Sequence, residues 1–78
     1  MTREIDLHGM TAAEGKRALL ACIRSCPAAV TELTVIHGSH SGNALQQMVR
    51  RNFSHPRLER KLIGLNDGVT VFLLKPKP

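Results

Sequence analysis

The stretch Ile5-Asp6-Leu7-His8-Gly9-Met10-Thr11-Ala12-Ala13-Glu14 decides the fold. Its first half alternates apolar with polar residues and ends on glycine, which predicts a short strand over about 3–7 running into a turn. Its second half opens a helix. Thr11 is followed three residues later by Glu14, a capping box in which hydroxyl and carboxylate satisfy N–H groups that a first helical turn leaves unpaired. Leu19, Cys22, Ile23 and Cys26 then recur at helical spacing to make one apolar face, with Lys16, Arg17 and Arg24 largely off it, until Pro27 stops the helix.

The same ending returns further on. Glu32 to His37, rich in β-branched residues, predicts a second, interior strand, and Val35-Ile36-His37-Gly38 again runs from apolar residues into a histidine and a glycine. Gly38-Ser39-His40-Ser41-Gly42 reads as a small-residue loop, after which Asn43 and Gln46 repeat the capping spacing ahead of Leu45, Met48, Val49 and Phe53. Ser54-His55-Pro56 breaks that second helix, Arg57 to Lys61 reads as a basic turn, and Leu62 to Leu65 as a third strand. Asn66-Asp67-Gly68, with Gly68 expected at positive φ, joins it to a fourth strand at Val69 to Leu74, and Lys75-Pro76-Lys77-Pro78 reads as a frayed tail.

The order βαβαββ predicts a two-layer α/β sandwich: a four-stranded mixed sheet with two helices on one face. A strand, helix, strand unit almost always has parallel strands, so the carboxyl ends of the first two strands share one edge of the sheet. Seventy-eight residues make one domain over 1–78, since a chain of this size hides only about 60% of its unfolded surface. No apolar run approaches the roughly 18 residues of a membrane span, and residues 1–10 lack the pattern of a signal peptide, so a soluble cytoplasmic protein with no membrane partner is expected.

Eleven Lys and Arg against six Asp and Glu leave a net charge of +5, a field attractive to DNA or RNA; the alternative is a solvated basic surface without a particular partner. The chain has no Trp or Tyr, and Phe53 and Phe72 occupy positions that read as internal, so contact is expected through backbone phosphates and not through an aromatic stacking platform. Cys22 and Cys26 fit reduced core thiols better than a disulfide or a zinc site, and no metal ligand set is assigned.

Asp6 and His8 stand two apart, so on a strand their side chains leave the same face and the carboxylate can orient the imidazole for general acid or base work. Both are also common turn formers, and the two readings stand side by side. Topology brings His37 to the same edge, with Gly38, Ser39, His40, Ser41 and Gly42 as a candidate phosphate-binding loop offering backbone N–H groups. Arg50, Arg51, Arg57, Arg60 and Lys61 form a basic cluster that reads either as a guide for a nucleic-acid backbone or as a solvated face.

Taken together, Ile-Asp-Leu-His-Gly-Met at 5–10, Val-Ile-His-Gly at 35–38, Ser41-Gly42 before an Ala44-Leu45 helix start, and Val69-Thr70-Val71-Phe72-Leu73 as last strand resemble the Smr (small MutS-related) domain. The resemblance implies a fold similar to the C-terminal domain of translation initiation factor three. It also implies nucleic-acid binding and, as in several members, endonuclease activity that nicks DNA or cuts RNA, including messenger RNA on ribosomes. The family's leucine-aspartate-x-histidine element corresponds to Ile5, Asp6, Leu7 and His8. Its histidine-glycine-x-glycine loop corresponds to His37, Gly38, Ser39 and His40, with His40 at the second glycine's place.

The leading expectation is a site in which Asp6, His8 and His37 handle protons beside a phosphate held by the Gly38 loop. On RNA, one histidine would deprotonate the 2′-hydroxyl and the other protonate the leaving oxygen. On DNA, an activated water is needed, and a divalent ion (Mg or Mn) held by Asp6 is the candidate cofactor, although a lone carboxylate is a poor magnesium cage. The rivals are a non-catalytic module that binds nucleic acid or the ribosome, and a binder of a small phosphate ligand.

Overall fold

The computed structural model describes residues 1–38 and 43–76. Strand β1 (Thr2–Asp6) leads into helix α1 (Ala12–Ser25), and strand β2 (Glu32–Ile36) into a short helix α2 (Ala44–Gln47) that continues as a π-helical segment (Met48–Asn52). Strands β3 (Leu58–Asn66) and β4 (Val69–Leu74) complete the chain. The sheet order is β1-β2-β4-β3, with β1 parallel to β2 and the other pairs antiparallel, which is the mixed sheet that βαβαββ predicts.

The amphipathic readings hold where the apolar period is strong. The Thr11 hydroxyl accepts from the Glu14 N–H at 3.1 Å while the Glu14 carboxylate accepts from the Thr11 N–H at 2.8 Å, so α1 starts at the expected box. Leu19, Ile23 and Cys26 are buried against Leu33, Val35, Phe72 and Leu74 of the sheet and against Leu45, Met48 and Val49 of the second helical segment, in one core. Phe53 and Phe72 are both internal and stack with ring centres 5.5 Å apart. Along β2 and β4 the alternate residues Thr34, Ile36, Val71 and Leu73 are only half-buried, since the helices cover one face of the sheet. The helices approach closely at Gly15, where a Cβ would lie 2.6 Å from a Leu45 methyl. Cys22 and Cys26 are free thiols, and burial pushes the Cys22 thiol up, with Cys26 adding to it.

Four readings are corrected. The second helix has no capping box: Asn43 makes no side-chain cap bond, and the Gln46 amide donates across to the Asp67 carbonyl at 2.8 Å. The i→i+5 bond from the Phe53 N–H to the Met48 carbonyl, 2.7 Å, widens its last turn into the π segment. Strand β3 begins at Leu58, so most of the expected basic turn is strand; charged residues suit an edge strand, whose outer side is open to water. The Asp67-Gly68 turn does join β3 to β4 through the Asn66–Val69 pair, but Gly68 lacks the expected positive φ. That conformation belongs instead to Gly64 (φ 105°), inside a register shift of β3 between Leu62 and Asn66. Lys75, placed in the tail from sequence, is tied in: its N–H donates to the Arg57 carbonyl at 2.8 Å. Lys77 and Pro78 lie outside the described residues.

Candidate nucleic-acid site

The parallel pairing of β1 with β2 sets Asp6 opposite Ile36, so the turns that follow the two strands sit side by side. Leu7 continues the ladder, its N–H donating to the Ile36 carbonyl at 2.7 Å with its side chain fully buried, and this parity sends Asp6 and His8 outward. One Asp6 carboxylate oxygen accepts both the His8 backbone N–H, at 3.0 Å, and the His8 ring Nδ1–H, at 2.6 Å. These two bonds hold the carboxyl below its ordinary value of 3.8, the ring bond being the larger cause. Because a carboxylate only accepts, Nδ1 carries a proton, and Nε2, on a side chain that is 72% exposed, has no partner among the described residues. The geometry supplies an oriented imidazole whose second nitrogen has no partner among the described residues.

Gly38 packs against this group. A Cβ on it would lie 3.5 Å from the His8 Cβ, and its φ of 77° is one that L side chains rarely adopt. The backbone N–H groups of His37 and Gly38 both donate to the Gly68 carbonyl, at 2.9 and 3.0 Å, so the β3–β4 turn and the end of β2 are locked together beside His8. Gly68 lies close to Gly38: a Cβ on it would reach van der Waals contact with the Gly38 Cα at 3.4 Å.

His37 departs from its expected role. It is 3% exposed, and both ring nitrogens are engaged, Nδ1 with the Gly38 carbonyl and Nε2 with the Thr70 hydroxyl, each at 3.0 Å. A carbonyl can only accept, so Nδ1 donates; in the neutral ring Nε2 then accepts from the Thr70 hydroxyl, whose oxygen accepts the Arg50 Nε–H at 2.8 Å. The chain Arg50, Thr70, His37, Gly38 is closed, and His37 braces the site from beneath with no nitrogen left for a substrate. Thr70 was not singled out from sequence, although a lone hydroxyl in the apolar run Val69 to Leu74 was the available signal.

The basic residues do not form one patch. Arg57 is 7% exposed, and its guanidinium donates to the carbonyls of Cys26, Pro27, Ala28, Val30 and Lys75 at the opposite end of the sheet, clasping the loop after α1 to the end of β4; buried and spent, it cannot reach a phosphate. Lys61 is half-buried over the Phe72 ring, donates to the Arg50 and Phe53 carbonyls, and its ammonium is pushed down by burial. Arg50 spends Nε on Thr70 and one terminal nitrogen on the Asn66 and Val69 carbonyls, each at 3.0 Å. Arg51 and Arg60 are exposed, as are Lys16 and Arg17. Gly38, expected to offer its N–H to a phosphate, lies beside His8 but donates that N–H to the Gly68 carbonyl, and Ser39, His40, Ser41 and Gly42 of the candidate loop lie outside the described residues.

Among the described residues no three His, Cys, Asp or Glu side chains gather as a metal centre, and Asp6, with one oxygen committed to His8, offers a single carboxylate that does not fit the donor set of a magnesium cage. No helix among the described residues is long and apolar enough to cross a membrane.

Comparison with known proteins agrees with this architecture. The Smr domain family model matches residues 5–62, from the end of β1 through α1, β2 and the second helical segment to the start of β3. No curated protein matches the chain. Among solved structures, the crystal structure of the Smr domain of Thermus thermophilus MutS2 is similar with a TM-score of 0.81 and 29% identity, over 95% of this chain and 99% of that one. Smr domains generally bind nucleic acid, and some members are nucleases. The chain belongs to the Smr domain family.

Proposed function

We propose that this Smr domain binds nucleic acid through its phosphates and cleaves it with the Asp6–His8 pair. The observation that carries the reading is the outward imidazole whose Nδ1–H is fixed by Asp6 at 2.6 Å and whose Nε2 has no partner among the described residues, on a chain of net charge +5. On RNA, His8 Nε2 takes the proton of a 2′-hydroxyl as that oxygen bonds to phosphorus; the bond from phosphorus to the 5′-oxygen breaks, and the leaving oxygen takes a proton from water. Asp6 favours the imidazolium so formed. Arg51 and Arg60 supply exposed charge for the polyanion, and the locked Gly38–Gly68 backbone fixes where His8 stands.

A second reading, a binding module without turnover, is favoured by the engagement of His37, which leaves His8 without the second proton carrier expected at this edge. Labelled RNA and DNA incubated with purified protein, with and without chelator, separate the two. Cleavage products that disappear with Asp6→Asn support the nuclease; retention of both substrates uncut, with binding intact, supports the module.

A further inference from the structure

The π-helical segment and one of the two register shifts of β3 face each other across one cleft. On one side is the second helical segment, with Asn43, Gln46 and Gln47 ahead of the π turn that carries Arg50 and Arg51; on the other is Ile63, at the register shift of β3. Both π turns and β-bulges re-aim side chains and are frequent where ligands bind. The cleft holds about 340 Å³, at the small end of the range for small-molecule sites.

We propose that this cleft binds one unpaired nucleobase, and so reads composition next to the cleavage site; the inference rests on the nucleic-acid reading above. Its walls are of two kinds. Gln46 and Arg50 are fixed by their bonds to Asp67, Asn66, Val69 and Thr70, and form a rigid side. The carboxamides of Asn43 and Gln47 are exposed, each offering two donors and an acceptor, the complement that a base edge requires. Ile63, 53% exposed on the edge strand, gives the base an apolar surface to lie on in place of the missing aromatic ring, and Arg51 meets the attached phosphate. The cleft is coupled to His8 through contiguous contacts: Gln46 holds the Asp67 carbonyl, the adjacent Gly68 lies against Gly38, and Gly38 lies against His8. These contacts set the cleft and His8 on either side of the Gly38–Gly68 backbone, so one strand of nucleic acid crossing that backbone would meet both.

Fluorescence anisotropy with labelled ten-nucleotide homopolymers of adenine, cytosine and uracil, and their deoxy counterparts, tests this. Wild-type protein is expected to discriminate between bases by at least about fivefold. Asn43→Ala and Gln47→Ala, at exposed positions, should each shrink that ratio while leaving the salt slope unchanged; Arg51→Ala should weaken every oligonucleotide alike and flatten the slope. Equal wild-type affinity for all bases, or a ratio unmoved by both carboxamide substitutions, overturns the base pocket while leaving phosphate binding intact. Absence of salt-dependent binding to any oligonucleotide overturns the nucleic-acid reading, and this inference with it.

Discussion

The two histidines that follow β1 and β2 share a sequence context and have opposite fates. Strand parity turns His8 out beside Asp6 and turns His37 in beneath Gly38, where Thr70 and the Gly38 carbonyl engage its ring. The Asp6 carboxyl is expected to titrate below 3.8, and His8→Ala should move its midpoint back toward that value in a carbon-detected NMR titration. The sign follows from the pairing: a carboxyl held below its unfolded value adds stability above pH 3.8 that is lost as pH falls through the folded midpoint. Thr70→Val should cost about 1–3 kcal/mol by stranding His37 Nε2 and Arg50 Nε. It should also speed hydrogen exchange at the His37 and Gly38 amides, which donate to Gly68. Asp6 and His8 were legible in the sequence because their partnership spans two residues of one strand. The His37 network was not, because it depends on Thr70 lying opposite Val35, a pairing of β2 with β4 that no local pattern shows.

Elements with a local signal were read closely, and those ruled by distant partners were not. The Thr11–Glu14 box and the Leu19, Ile23, Cys26 stripe gave α1, and the β-branched run gave β2, because each is fixed within a few turns of chain. Helix α2 carries the same spacing in Asn43 and Gln46, yet Gln46 finds the β3–β4 turn instead of its own N-terminus. Arg57 to Lys61 looked like a solvated turn because five residues hold four cationic or anionic groups beside one leucine. The structure uses them separately: Arg57 clasps five carbonyls, Lys61 caps the end of the π segment, and Arg60 remains exposed. Arg57→Met should therefore destabilise the domain by about 2–4 kcal/mol in urea unfolding, by orphaning carbonyls that a charged donor now satisfies. The same substitution should leave the salt slope of nucleic-acid binding unchanged, where a phosphate contact would lower it by about one.

At the scale of the molecule, the parallel β1–β2 pair places the Asp6–His8 pair at one end of the sheet and the Arg57 clasp holds the other. The fold class and the edge that carries Asp6 and His8 follow from βαβαββ alone, and the family match and the architecture agree on that fold. The working surface is smaller than the charge count suggests, since Arg57 and Lys61 serve the fold and Arg50 braces His37 through Thr70. In the proposed function, turnover depends on His8 Nε2, which has no partner among the described residues. The most direct measurement is cleavage of a labelled RNA by His8→Ala beside wild type, at protein concentrations giving equal binding. The account expects turnover to fall by about 100-fold or more with affinity little changed. Turnover by His8→Ala at the wild-type rate would contradict it.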